Sequence, residues 1–220
     1  MQSLFSPDSK FMRLMGRIGD LMILNLVFLL TCVPLVTIGA ASTALYTVCF
    51  RFGTQREGRL ARTYLRAFRQ ELKRGTLLWL IIALCGATAA LNTYVFYLMP
   101  GALHWVCVLF AILLVMVLMI ASYAFPLLSQ FDNGVAGTFK NALILSLGYL
   151  PRSVVITVFN VFPFAILLLD LYGFLQMGFL WVALYFSTAA YANSILLKKI
   201  FAPYLPEQSQ EGQSNEEENA

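Results

Sequence analysis

The sequence predicts an all-α fold: a polytopic transmembrane helical bundle of five to six membrane segments, with an amphipathic helix on the cytoplasmic side. Three observations predict it. Of 220 residues, 60% are apolar, and the mean hydropathy is +0.76. The apolar residues gather into charge-free runs, clearest at 76–98, 105–128, 153–169 and 174–197, each close to the roughly 20 residues needed to cross a hydrocarbon core of about 30 Å. The fifteen Lys and Arg occupy four places: Lys10, Arg13 and Arg17; residues 51–74; Lys140 and Arg152, read as a loop; and Lys198 with Lys199. The turns around 34–37, 99–104 and 170–176 hold none. Basic residues stay in cytoplasmic loops, so a membrane location with both termini cytoplasmic is expected.

Each segment follows from this pattern. Trp79 stands near the expected inner boundary and Tyr94, Tyr97, Trp105 and Tyr172 near the outer one, as aromatic belts do. Pro163 is expected to kink its helix by removing a backbone donor. Residues 18–52 are ambiguous. Read as one crossing, they give five spans and strand Lys10, Arg13 and Arg17 outside. A break at Pro34 and Gly39 gives two short helices instead, 18–33 and 36–52, each about 25 Å long. These either cross a thinned bilayer or form a re-entrant hairpin. Pro34 disfavours helical geometry at Val33, and Gly39 permits a tight turn or a close helix contact. The six-segment reading keeps every basic residue inside and places residues 34–37 in the outer half of the membrane or beyond it.

Residues 59–74 read as the amphipathic helix. Ala61, Tyr64, Leu65, Phe68 and Leu72 follow one helical stripe, while Arg62, Arg66, Arg69 and Lys73 cluster on another face. Arg62, Tyr64, Leu65, Arg66, Phe68, Arg69, Leu72 and Lys73 form the candidate interaction surface, suited to anionic headgroups of the lipid bilayer or to a docking partner. Residues 1–205 read as a single transmembrane domain. Residues 206–220 hold five glutamates and almost no apolar side chain, so a disordered acidic tail is expected there. The mixed stretch up to Asp20 lacks a convincing cleavage pattern, so the N-terminus is expected to be retained.

No reaction centre emerges. There is no phosphate-binding glycine loop and no paired-histidine spacing; His104 stands alone at the outer boundary and reads as an interfacial aromatic. Cys32, Cys49, Cys85 and Cys107 lie inside apolar runs without metal-ligand spacing and read as small hydrophobes. No enzyme activity, catalytic residue, cofactor or metal is expected. Basic residues confined to loops between spans make nucleic acid a poor partner. Asn25, Asn92, Asn160 and Asn193 lie within the apolar runs; none is ionisable, and interhelical hydrogen bonding explains them as well as a transport path does. The break at 34–39 has no clear counterpart in the second half, as an inverted-repeat transporter would show. An importer permease's coupling segment is also missing.

The residues Met12-Arg13, Asp20 and Leu24-Asn25-Leu26 lead into a more specific stretch, Pro34-Leu35-Val36-Thr37-Ile38-Gly39-Ala40-Ala41 with Thr43-Ala44-Leu45-Tyr46. Tyr64, Arg66-Ala67-Phe68-Arg69, Leu78-Trp79, Tyr123-Ala124-Phe125-Pro126 and Lys140-Asn141-Ala142 continue it. The chain resembles, from about 10 to 205, the YesL-like (DUF624) membrane proteins of Gram-positive bacteria. Such proteins commonly accompany carbohydrate ABC importers. The resemblance therefore implies an accessory or assembly subunit that contacts ABC importer permease subunits; it supplies no active site. A small membrane transporter or channel, or a membrane-bound sensor or regulator, are the alternatives.

The topology is open to test. A cysteine introduced at Ser3 is expected to stay unlabelled by a membrane-impermeant thiol reagent in intact cells and to react after lysis. Strong labelling before lysis contradicts cytoplasmic termini.

Overall fold

A computed structural model describes residues 10–51, 60–132, 134–176, 178 and 184–201. Among these every regular element is a helix: α1 Lys10–Cys32, a 3-10 turn Leu35–Thr37, α2 Ile38–Phe50, α3 Leu60–Leu98, a 3-10 turn Gly101–Trp105, α4 Val106–Gln130, α5 Val135–Gly148, α6 Leu150–Leu169, α7 Leu171–Gln176 and α8 Phe186–Phe201. The all-α bundle is as expected. Met15–Cys32, Leu60–Leu98, Leu103–Gln130 and Leu150–Leu167 are long and apolar enough to cross a membrane; Leu35–Phe50 and Val135–Gly148 are apolar but shorter.

The Pro34 break forms as the sequence dictates. Pro34 is extended (φ −75°, ψ 109°), so α1 ends before it. The Thr37 hydroxyl satisfies two carbonyls left over at the break, Thr31 O at 2.7 Å and Pro34 O at 2.8 Å, while Thr37 N–H also reaches Pro34 O at 2.9 Å. α2 then begins at Ile38. Of its 13 residues, Gly39–Ala41, Thr43–Tyr46 and Val48–Phe50 are all buried, the fate of a helix that is apolar all round. At 1.5 Å per residue it is about 20 Å long, too short to cross unaided, and it lies in the centre of the bundle.

α2 packs on α3 with the backbones in contact. A Cβ on Gly39 would stand 2.2 Å from the Gly75 carbonyl oxygen and 2.5 Å from Trp79 Cβ; a Cβ on Gly75 would stand 2.8 Å from Ala40 Cα. The Trp79 indole N–H donates to Leu35 O at 2.9 Å. The sequence expectation for Gly39 as a close helix contact is met, with Gly75 as the unforeseen partner. The placement of the break differs from expectation. It lies beside Gly75 and Trp79, just past Lys73 and Arg74, at the basic end of α3's apolar run. The turn after Leu98 is at the other end, so residues 34–37 do not reach the far half of α3.

A second difference concerns α3 itself. The amphipathic helix expected at 59–74 and the span expected at 76–98 are one continuous helix of 39 residues, about 58 Å long against a hydrocarbon core of about 30 Å. The basic half is therefore continuous with the apolar half and is not a separate helix. Leu60, Tyr64, Ala67, Gly75, Leu78 and Ile82 are buried along it, a stripe that stays in register through the change of composition.

After the Gly101 turn (φ +83°, glycine's region), α4 returns along α3. Phe96 stacks on Phe110 with centroids 5.5 Å apart, and Trp79 meets Phe125 at 6.4 Å. α4 is buried from Met119 to Leu128 except at Ala121, whereas Leu109, Ile112 and Leu113 nearer the Gly101 turn are exposed, as lipid-facing side chains are. Lys140 and Arg152 stand on α5 and in the first turn of α6, not in a loop. α6 continues through the buried Pro163 to Leu169. α8 closes the core, with Phe201 against Phe50 at 6.1 Å and Phe131 at 5.8 Å. Only 174–176, 178 and 184–197 of the last predicted span, and none of the tail 206–220, lie within the described residues.

Gly39→Ala and Gly75→Ala are expected to lower the thermal aggregation temperature in mild detergent, by about 1–3 kcal/mol of overpacking or more. Gly86→Ala is the control, since its Cβ would meet only Val117 Cγ1 at an ordinary 3.7 Å. Equal behaviour of the three variants contradicts the close crossing.

Candidate functional site: the basic face of α3 and a buried polar seam

The structure divides the candidate interaction surface in two. Arg62, Leu65, Arg66, Arg69 and Lys73 are exposed. Tyr64 is fully buried, and Phe68 and Leu72 are half-buried. Tyr64 belongs to the core. Its ring stacks on Phe68 (6.3 Å between centroids), and its hydroxyl lies 2.6 Å from Thr31 Oγ1. Thr31 Oγ1 also reaches Phe28 O at 2.8 Å and the Tyr64 hydroxyl reaches Ala41 O at 3.4 Å, so the pair joins α1, α2 and α3 through either hydroxyl as donor. Much of the expected apolar docking stripe thus holds α3 against α1 and α2. What remains outward is a row of four cations with Leu65 among them.

The row ends at a charged corner. Arg74 on α3 pairs with Asp132, just beyond the end of α4. Both are well exposed, so water screens the pair; it links the middle of α3 to the chain just past the end of α4. Glu71 Oε2 is buried without a hydrogen-bond partner among the described residues. Burial holds this carboxyl above its usual range, with Arg74 pulling it down and Asp132 pushing it up.

Of the four amides singled out in the sequence, two meet. Asn193 Nδ2 on α8 donates to Asn160 Oδ1 on α6 at 3.0 Å; Asn160 Nδ2 donates to Ser122 Oγ on α4 at 3.2 Å, as does the Thr157 hydroxyl at 3.3 Å. The Tyr46 hydroxyl from α2 lies close to both amides. Asn25 Oδ1 instead accepts Ser187 N–H at 2.9 Å, fastening α1 to α8, and Asn92 donates to Thr88 O one turn back in its own helix. Tyr46, Ser122 and Thr157 carry no sequence signal that sets them apart from structural polar residues in spans. His104 Nδ1 lies 3.0 Å from Tyr97 O at the turn after α3. The four cysteines are free thiols, and among the described residues no group of three or more His, Cys, Asp or Glu side chains is placed to hold a metal ion. The seam is hydrogen-bonding and uncharged, each interhelical bond worth about 0.6 kcal/mol.

Comparison with known proteins agrees with the family resemblance. Residues 21–93 match the family described as "Protein of unknown function, DUF624". That stretch is most of α1, all of α2 and most of α3, the helices that meet around the Gly39 crossing. No curated protein and no solved structure matches the chain.

Tyr64→Phe is expected to destabilise the protein by about 1 kcal/mol, the worth of one hydrogen bond with a partner left buried, as a lower aggregation temperature in detergent. Arg66→Gln, on the exposed row, is expected to leave that temperature unchanged. The reverse order contradicts the division of this surface.

Proposed function

We propose that this protein is an accessory or assembly subunit of a carbohydrate ABC importer, held in a bacterial membrane. Its contact with the permease subunits runs through Arg62, Arg66, Arg69 and Lys73. The observation that carries this reading is the position of these four cations: exposed on the basic extension of a single helix whose other half is an apolar span. A helix fixed by a backbone-contact crossing presents charge at a set height above the bilayer at little entropic cost. The family resemblance supports the importer as the partner.

Because Tyr64 is used internally, the contact is electrostatic in character, steered by charge and weakened by salt. Anionic headgroups add about 1 kcal/mol per basic residue close to the surface and orient the face toward the membrane-proximal part of a partner. A transporter in its own right takes support from the Asn160–Asn193 pair, but Asn92, which would extend a polar path, bonds back to its own helix.

The test is Arg62→Gln, Arg66→Gln, Arg69→Gln and Lys73→Gln combined, which keeps helix propensity nearly unchanged. The variant is expected to accumulate and insert normally, to lose co-purification with the permease pair in mild detergent, and to slow growth on the oligosaccharide served. Co-purification and growth at wild-type level contradict the proposal.

A further inference from the structure

Beside Trp79 the bundle holds a cavity of about 490 Å³, within the roughly 300–1,000 Å³ typical of small-molecule sites. Six helices (α1, α2, α3, α4, α6 and α8) and Tyr185 just before α8 supply its walls, including Phe28, Trp79, Phe125 and Phe186, so most of its surface is aromatic or aliphatic. Of its polar side chains, Tyr46, Ser122 and Asn160 meet at the seam described above, Ser42 stands one turn before Tyr46 on α2, and the Tyr185 hydroxyl is spent on Phe159 O. Among the described residues no charged side chain lines it. An ion drawn inside would lose its hydration with nothing to replace it.

The position of the mouth argues for the source of the ligand. Phe159 and Phe164, both lining residues, are 48% and 57% exposed on α6, and Phe159 stands at the edge of the exposed face formed by Val155, Val158 and Phe162. In a helix long and apolar enough to span, such a face meets hydrocarbon, so the cavity opens sideways into the bilayer. The seam has hydrogen-bonding capacity to spare: Asn193 Oδ1, behind Asn160, is buried and has no hydrogen-bond partner among the described residues. An aromatic chamber reached from lipid, with one neutral polar end, is complementary to an amphiphile whose head both donates and accepts hydrogen bonds.

We propose that this cavity binds a neutral, hydroxyl-bearing single-chain lipid taken from the bilayer, its chain against the aromatic walls and its hydroxyl at Tyr46, Asn160 and Ser122. The site is independent of the basic row and stands whether or not that row docks a permease.

The full chain, purified in nonionic detergent, is incubated with a monoacylglycerol carrying a diazirine on its chain, irradiated, and mapped by mass spectrometry. Saturable labelling is expected on the cavity-lining parts of α2, α4 and α6, competed by unlabelled monoacylglycerol. Ala189→Trp, which fills the cavity, and Asn160→Leu, which removes the polar end at similar volume, are each expected to abolish the saturable component while eluting as monodisperse protein. Should one fail to fold, the other decides. Val158→Trp, on the exposed face of α6, is expected to label like the unsubstituted chain. A diazirine-bearing phosphatidylglycerol is expected to give only non-saturable labelling of exposed faces. Non-saturable monoacylglycerol labelling, saturable labelling that survives the folded variants, or equal saturable labelling by phosphatidylglycerol overturns the proposal.

Discussion

The contact between the backbones of α2 and α3 at Gly39 and Gly75 is the constraint on which the rest of the bundle depends. Within a bilayer, helices gain little from hiding apolar surface from one another, so association rests on close van der Waals packing and hydrogen bonds. Two glycines at one crossing give the closest approach available, although each costs about 1 kcal/mol in helix propensity relative to alanine. The crossing seats the Pro34 break under the Trp79 indole and draws the short α2 into the centre. It also holds α3 where its composition changes from basic to apolar. α1, α4 and α8 pack around the unit so formed, through Thr31–Tyr64, Trp79–Phe125 and Phe50–Phe201.

Two surfaces follow from that arrangement. On one, the buried stripe of α3 leaves its opposite side to four cations, so the outward face is nearly all charge. On the other, Tyr46 of α2 and Trp79 of α3 look into the aromatic cavity beside α4, α6 and α8. Trp79 belongs to both the crossing and the cavity wall. Ligand in the cavity and the seating of the Pro34 break therefore share a side chain, as do the break and the helix that carries the basic row.

The helical character of the chain was readable because lipid permits little else for such apolar runs, and the stripe through Tyr64 and Leu72 was visible as a helical period. The continuity of α3 was not. Lys73-Arg74-Gly75-Thr76 reads as a boundary by composition, yet the backbone ladder runs straight through it, because Gly75 answers a packing demand from Gly39 that no local window contains. α5 was read as a loop since Gly137, Thr138, Lys140 and Asn141 dilute its apolar content; Thr138 and Ala142 are nevertheless buried on its inner face. The break at Pro34 was legible as a break, but its height in the bundle was set by α3, which a charge-balance argument about loops does not address. The seam was half legible: Asn160 and Asn193 stood out as amides in apolar runs, whereas Tyr46 and Ser122 become partners only through tertiary packing.

The height of the break is most directly measured by cross-linking. In a chain whose four native cysteines are replaced by alanine, cysteines are placed at Leu35 and Trp79, or at Leu35 and Tyr97, and isolated membranes are treated with a short bismaleimide. Links are mapped by mass spectrometry after digestion. The packing described here predicts rapid linkage of the 35–79 pair and none of the 35–97 pair. Linkage of 35 to 97 without linkage to 79 would place the break at the opposite end of α3 and contradict the Gly39–Gly75 crossing as the organising contact.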